Sequence, residues 1–142
     1  MVYQGMNFGA IIVAAIVTFM LGGLWYSPIL FAKPWMLAHG YDPNDKEKVE
    51  AMKKNAGPMY GAAFVASLLS AIILARMFSS LGVHDAMRGV KIAVALWLGF
   101  VATVQLTGTL FGGKKIQLFF IDTGYQLLCF IVMGAILSVW HP

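Results

Sequence analysis

One carboxylic acid lies inside an otherwise apolar stretch near the end of this 142-residue chain. Asp122 is six residues past Ile116, where the stretch begins, so in a helix it lies about 9 Å from that end. A carboxylate in hydrocarbon is costly unless it is paired, hydrogen-bonded or protonated. Asp122 therefore predicts a proton or cation site, or an acceptor for the amine of a ligand. The structural alternative is that Lys114 or Lys115, or nearby tyrosines and the amide of Gln105, hold this carboxylate.

Other apolar stretches place polar or amphipathic side chains at the same depth as Asp122. Gln105 lies six residues before Phe111, and Trp25 lies six residues before Phe31, so each is about 9 Å from the same membrane surface. This coincidence predicts a shared polar layer. Its ligand- or ion-binding candidates are Asp122, Gln105, Tyr125, Gln126, Tyr60, Trp25, Tyr26 and Ser27. Aromatic residues near a span end are also typical of the interfacial belt, which is the structural alternative for Trp25 and Tyr26.

Reaction chemistry has little support in the sequence. Cys129 is the single cysteine, so the chain can form neither an internal disulfide nor a CxxC redox pair. We find no nucleophile with a visible histidine base, no phosphate-binding loop and no metal-ligand spacing. We therefore predict no catalytic residue, no metal and no cofactor, and an enzyme is the least favoured class of function.

The elements that must position the polar layer follow from composition. The chain is 60% hydrophobic and 11% charged, against roughly 45–50% and 25% for soluble domains. We predict an all-α membrane protein with one transmembrane domain over 1–142. Its four transmembrane helices cover approximately 6–31, 59–77, 89–111 and 116–140, and a short solvated helix covers approximately 42–55. The lysines lie at helix ends and in one loop, which favours a lipid bilayer as partner and argues against nucleic acid.

Small residues at every fourth position predict where the helices pack together. The glycines Gly22, Gly61 and Gly99 and the helix-ending Pro28 are expected to be structural. The fourth span lacks such a stripe, so we expect it to face lipid or a second protomer more than the other spans do. A faint match between 27–31 and 107–111 suggests two related helical hairpins. The three stripes are Ala10, Ala14, Thr18 and Gly22; Ala63, Ser67, Ala71 and Ala75; and Ala95, Gly99, Thr103 and Thr107.

The distribution of basic residues predicts the orientation. The first and third loops carry most of them, and cytoplasmic loops are enriched in lysine and arginine. We expect a multi-pass protein of the cell (inner) membrane with both termini outside. The residues on the cytoplasmic side are then Lys33, Lys46, Lys48, Lys53, Lys54, Lys114 and Lys115, against Arg76, Arg88 and Lys91 on the other side.

Two groups of residues resemble signatures of a bacterial family called domain of unknown function 1761. The opening signature is Leu24-Trp25-Tyr26-Ser27-Pro28 followed by Leu30-Phe31, Lys33 and Trp35, and the closing one is Ile121-Asp122, Gly124-Tyr125 and Met133-Gly134-Ala135-Ile136-Leu137. The resemblance covers nearly the whole chain. It implies a small multi-span membrane protein without indicating an activity, and it singles out Trp25, Tyr26, Pro28, Asp122 and Tyr125. Family members often have histidine where this chain has Gln126, which argues against proton shuttling there.

Two classes of function remain open from the sequence. The first is a membrane protein that binds or transports a small solute, an ion or a lipid headgroup through the layer around Asp122. Four helices barely enclose a pathway, so transport would favour a dimer or trimer. The second is a non-catalytic scaffold or accessory subunit, whose polar layer serves helix association.

Overall fold

The computed structural model describes residues 8–26, 34, 36–37, 44–54 and 57–139. These residues form helices joined by short turns, and no strand occurs among them. We number the helices α1 to α6, and a π-helical segment, Trp97–Ala102, joins α4 to α5 in one continuous rod. The helices are α1 (Phe8–Trp25), α2 (Lys46–Lys54), α3 (Gly57–Leu81), α4 (Ala86–Leu96), α5 (Thr103–Phe111) and α6 (Ile116–Val139).

The prediction of four transmembrane helices is confirmed. Within the described residues, four helices are long and apolar enough to cross a bilayer: α1, α3, the α4–π–α5 rod and α6, with 18, 25, 26 and 24 residues. α1 ends at Trp25, before the expected boundary at residue 31. The expected effect of Pro28 falls outside the described residues, as do Ser27 and the first two residues, 42–43, of the predicted solvated helix. The solvated helix is observed as α2.

The two ends of the helix bundle differ in packing. We call the end at the α3–α4 turn the packed end, and the end at the α5–α6 turn the Asp122 end. The buried core belongs to the packed end, where Ile11, Phe78 and Met133 are each no more than 2% exposed. Near the Asp122 end, by contrast, residues 57–63 of α3 are exposed, as are all residues of α5 except Gln105 and Thr109.

The fourth span, α6, is the central helix of the described bundle. It packs against α1, α3 and α4, and a larger share of its apolar window is buried (33%) than in the other spans, where the highest value is 28%. Our expectation that the fourth span faces lipid or a second protomer more than the other spans do was wrong, because it is the most buried of the four within the chain. Bulky side chains such as Phe130 and Ile136 pack against the core, so the burial of α6 follows from its position in the bundle.

Helices α4 and α6 approach most closely through small residues that the predicted stripes did not include. An added Cβ on Gly134 would lie 2.9 Å from the Cβ of Ala93 and 2.9 Å from the carbonyl oxygen of Gly89. Gly89 and Ala93 are four residues apart, as are Gly134 and Ser138, and this spacing lets two helix backbones come into contact.

Only part of the predicted stripes packs within the chain. Ala10, Ala14 and Thr18 on α1 are fully buried, and on α3 only Ala71 and Ala75 are buried. The stripe predicted on the third span was wrong as a contact of this chain, because all four of its residues are exposed. Gly61 and Gly99 likewise have open space where a side chain would lie. The suggestion of two related hairpins stays a prediction, because residues 27–31 lie outside the described part.

Candidate functional site

Asp122 and Tyr26 form a hydrogen bond between the fourth and first spans. The backbone N–H of Tyr26 donates to the carbonyl of Gly22 at 3.0 Å, which extends the helical path of α1 by one residue. This directs the Tyr26 hydroxyl to Oδ1 of Asp122 at 2.6 Å. Such a distance is typical of a hydroxyl that donates to a carboxylate. Both side chains are half-buried, so the bond compensates part of the cost of placing Asp122 in the membrane.

The other oxygen of Asp122 has no hydrogen-bond or ion-pair partner among the described residues. Lys114 and Lys115, one of the structural alternatives for holding the carboxylate, are exposed and form no ion pair with it in the described part of the chain. The amide of Gln105 is engaged elsewhere. The tyrosine alternative is therefore observed for one carboxylate oxygen, and the second remains available to a hydrogen-bond donor or a cation.

Two tryptophans bind the backbone of α6 on either side of Asp122. The indole N–H of Trp25 donates to the carbonyl of Ile121 at 3.0 Å. The indole N–H of Trp97 donates to the carbonyl of Thr123, also at 3.0 Å. A helix carbonyl has a second lone pair for such a donor. The first and third spans thus hold α6 at the residues that flank the carboxylate.

Tyr125 forms a second connection between α6 and α1, one turn from Asp122. Its hydroxyl donates to the carbonyl of Thr18 at 2.8 Å. Gly22 makes room for this ring, because an added Cβ there would lie 2.7 Å from the Tyr125 hydroxyl. The Tyr125 ring lies 5.5 Å from that of Tyr26 and 6.4 Å from that of Trp25, between centroids. Three aromatic rings therefore pack together beside the carboxylate.

Gln105 joins the layer through Thr123, not through Asp122. The hydroxyl of Thr123 donates to Oε1 of Gln105 at 2.6 Å. Trp97 is the first residue of the π-helical segment, and Gln105 lies three residues after its last residue, Ala102. Both side chains contact Thr123. A π turn holds more residues than an α turn, which changes the register of the residues that follow. Trp97 and Gln105, eight positions apart on the third span, therefore both bind Thr123.

The remaining candidates lie apart from this group or outside the description. Tyr60 is 58% exposed, and its ring packs edge-on against Phe19 at 6.3 Å. Gln126 is half-buried and is not hydrogen-bonded to the layer within the described residues. Ser27 falls outside those residues.

Sequence reasoning missed Trp97, Thr123 and Thr18. A signal existed for Trp97, since it is the one tryptophan placed in the middle of a predicted span, where its N–H needs an acceptor. The role of Thr123 is hard to recognise in the sequence, because its neighbour Asp122 is the more conspicuous polar residue and because a threonine hydroxyl in a helix often bonds a carbonyl of its own helix. Thr18 contributes a backbone carbonyl, and side-chain patterns carry no information about such an acceptor.

The geometry suits hydrogen bonding to a small polar or cationic group. Within the described residues, no three side chains of His, Cys, Asp or Glu lie close enough to hold a metal ion together. The polar atoms are one carboxylate, two tyrosine hydroxyls, a threonine hydroxyl and an amide. A carboxylate beside aromatic rings is an arrangement that attracts organic ammonium groups.

Comparison with known proteins supports the resemblance noted in the sequence. A family model described as "Protein of unknown function (DUF1761)" matches residues 9–138. No curated protein and no solved structure matches the chain significantly. The match covers both signatures, with Trp25 and Tyr26 in one and Asp122 and Tyr125 in the other. The chain is thus a multi-pass membrane protein that belongs to the DUF1761 family.

Proposed function

We propose that this protein binds a small cation or an amine-bearing solute or lipid headgroup at Asp122, and that binding serves transport across the membrane. The observation that carries the proposal is the second oxygen of Asp122, which has no partner among the described residues. A half-buried acid within a membrane span is expensive and typically faces a pathway or a partner charge. A cationic group of a ligand would supply that charge.

Two further features support a ligand at this place. The described residues of α3 and α5 near the Asp122 end are largely exposed, so these two helices pack less fully at this level than at the packed end, although Ile121 and Thr123 of α6 are buried. The carboxylate is also held in a fixed position, because Tyr26 binds one oxygen and the two indoles bind the adjacent backbone. A preorganised acceptor lowers the entropic cost of binding.

The experiment compares Asp122→Asn with the wild type in detergent, with cations as probes. Methylammonium, sodium and potassium chlorides are titrated at constant ionic strength while the unfolding temperature is followed. A ligand that binds the folded state at 100 times its Kd stabilises by about 2.7 kcal/mol. We expect at least one cation to raise the Tm of the wild type and none to raise that of Asp122→Asn. Uptake of radiolabelled methylammonium or sodium into proteoliposomes should be lost in the same variant.

Asp85→Asn is the matched control. Asp85 precedes α4, and its carboxylate accepts the backbone N–H of Arg88 at 2.9 Å, a capping role that asparagine also fills. This variant removes one carboxylate away from the layer and should keep the cation response. The proposal fails if the wild type responds to none of the three cations, or if Asp122→Asn responds as strongly as the wild type.

A scaffold or accessory role is the second candidate. It is favoured by the outward-facing small residues Ala95, Gly99, Thr103 and Thr107, which are exposed in the chain and are of the type that brings membrane helices into contact. In this case the polar layer only joins helices. Asp122→Asn would then change the oligomer size on chromatography in detergent, while no cation would shift the Tm of the wild type. The ligand-binding proposal expects a cation response in the wild type and an unchanged oligomer size in the variant.

A further inference from the structure

A groove lies on α3 near the packed end, which is the opposite end of the bundle from the polar layer. It has a volume of about 340 Å³ and is lined by Ile73, Arg76, Met77, Ser80 and Leu81. These residues follow the spacing of one helix face. Ile73 is 58% and Leu81 50% exposed, so the groove opens outward. It combines apolar walls with one guanidinium and one hydroxyl.

Arg76 has no partner for its charge among the described residues. Its side chain is exposed and forms no hydrogen bond or ion pair with a described residue. α3 has 25 residues and is thus about 37 Å long, against about 30 Å for the hydrocarbon core. The C-terminal turns of α3 therefore extend toward the headgroups, and Arg76 lies five residues before the helix end. A guanidinium at this level is stabilised by an anion.

A second guanidinium lies next to Leu81, the last residue that lines the groove. Arg88 donates long hydrogen bonds to the carbonyl of Leu81 at 3.4 Å and of Gly82 at 3.5 Å. Its side chain therefore reaches back from α4 to the last residue that lines the groove. The Asp85 carboxylate nearby caps α4 through the backbone N–H of Arg88, and the described residues show no ion pair between it and either guanidinium.

We infer that this groove binds an anionic phospholipid. The phosphodiester lies at the end formed by Arg76, Ser80 and Arg88, and an acyl chain follows Ile73 and Met77 toward the membrane interior. Charge complementarity selects the anion, because arginine forks bind phosphate oxygens in pairs. The apolar walls favour a lipid over a soluble phosphate, because only a ligand with an acyl chain would bury apolar surface against them. This site shares no residue with the layer around Asp122.

The experiment measures lipid selectivity of the full chain in detergent. Wild type and Arg76→Gln are titrated with dioleoylphosphatidylglycerol and with dioleoylphosphatidylcholine, and the lipid concentration at half-maximal Tm increase is recorded. The wild type should respond at lower concentrations of the anionic lipid. Arg76→Gln should raise that concentration about fivefold and leave the response to phosphatidylcholine unchanged. Arg76→Lys, which keeps the charge, should retain the preference.

Arg76→Gln removes no hydrogen bond or ion pair with a described residue, so we expect this variant to fold. Circular dichroism and gel filtration check this, and Arg88→Gln gives an independent reading of the same site. Lys114→Gln, with the same charge change at the Asp122 end, is the control and should keep the wild-type preference. The inference is overturned if the wild type does not prefer the anionic lipid, or if Lys114→Gln loses as much preference as Arg76→Gln. It is also overturned if Arg76→Gln alters oligomer size without changing the lipid response.

Discussion

At the scale of single residues, the bond between Tyr26 and Asp122 joins positions 96 apart in the chain. A hydrogen bond from a hydroxyl to a carboxylate contributes more to the free energy of folding than a bond between two neutral groups, because the acceptor is charged and little water surrounds it. The same bond leaves the other oxygen of Asp122 without a partner among the described residues. Tyr26 fixes the position of the carboxylate, so its removal should affect stability first.

Tyr26→Phe is predicted to lower the free energy of unfolding by about 1–3 kcal/mol, because the Asp122 oxygen loses its donor while remaining half-buried. The phenylalanine ring keeps the packing against Tyr125. The measurement is unfolding in mixed micelles of sodium dodecyl sulfate and a mild detergent. Tyr60→Phe is the control: its ring is exposed and packs only edge-on to Phe19, so removal of its hydroxyl should change stability by about 0.5 kcal/mol or less.

A double-mutant cycle tests whether the cost belongs to this pair. In an Asp122→Asn background, Tyr26→Phe should cost less than in the wild type, with a coupling energy in the range of about 0.5–3 kcal/mol. Equal costs in both backgrounds would show that the hydroxyl acts through some other contact.

Individual residues of the site differed in how far the sequence could predict them. Asp122 could be singled out from its cost in lipid, and the depth rule put Trp25 at the level of α6 where its indole N–H binds the carbonyl of Ile121. Depth alone does not fix direction around a helix, so Tyr60 was placed in the layer although its side chain points outward. Gln105 has the predicted depth, but its amide is hydrogen-bonded to Thr123, the residue next to Asp122.

At the scale of helices, small residues mark close contacts only when they face a neighbour. Gly89, Ala93, Gly134 and Ser138 do so at the α4–α6 crossing, whereas the stripe chosen from the sequence on the third span faces outward. Spacing by four gives several candidate stripes on any apolar helix. Which stripe is used depends on the rotation of each helix, and that is set by all of its neighbours together.

Gly134→Ala is predicted to destabilise the bundle by about 1–3 kcal/mol, as expected for overpacking. The added methyl group would lie 2.9 Å from Ala93 Cβ and 2.9 Å from the Gly89 carbonyl oxygen, so the two helices must separate. The same unfolding assay measures the change. Gly61→Ala is the matched control, because open space surrounds that position and alanine has the higher helix propensity. A destabilisation of equal size in both variants would contradict the close crossing.

At the scale of the whole molecule, four spans were predictable because they depend on composition and length alone. The unequal packing of the two ends was harder to predict from the sequence, because it depends on which helix faces contact each other. The core at the packed end closes one half of the bundle, and the candidate site lies in the other half. Under the proposed function, the orientation of the bundle in the membrane decides which compartment supplies the ligand of Asp122.

We predict that the Asp122 end faces the cytoplasm. The first and third loops, at that end, hold seven of the ten basic residues of the chain, and short loops rich in lysine remain on the cytoplasmic side. The test uses single cysteines in a Cys129→Ser background, with Lys114→Cys in the α5–α6 turn and Asp85→Cys in the α3–α4 turn. A membrane-impermeant maleimide added to intact cells should label Asp85→Cys and not Lys114→Cys, whereas both should react after lysis. The native Cys129 is only 4% exposed, so the unmodified chain should react with neither treatment. Labelling of Lys114→Cys alone in intact cells would show the opposite orientation, with the Asp122 end on the outer side of the membrane.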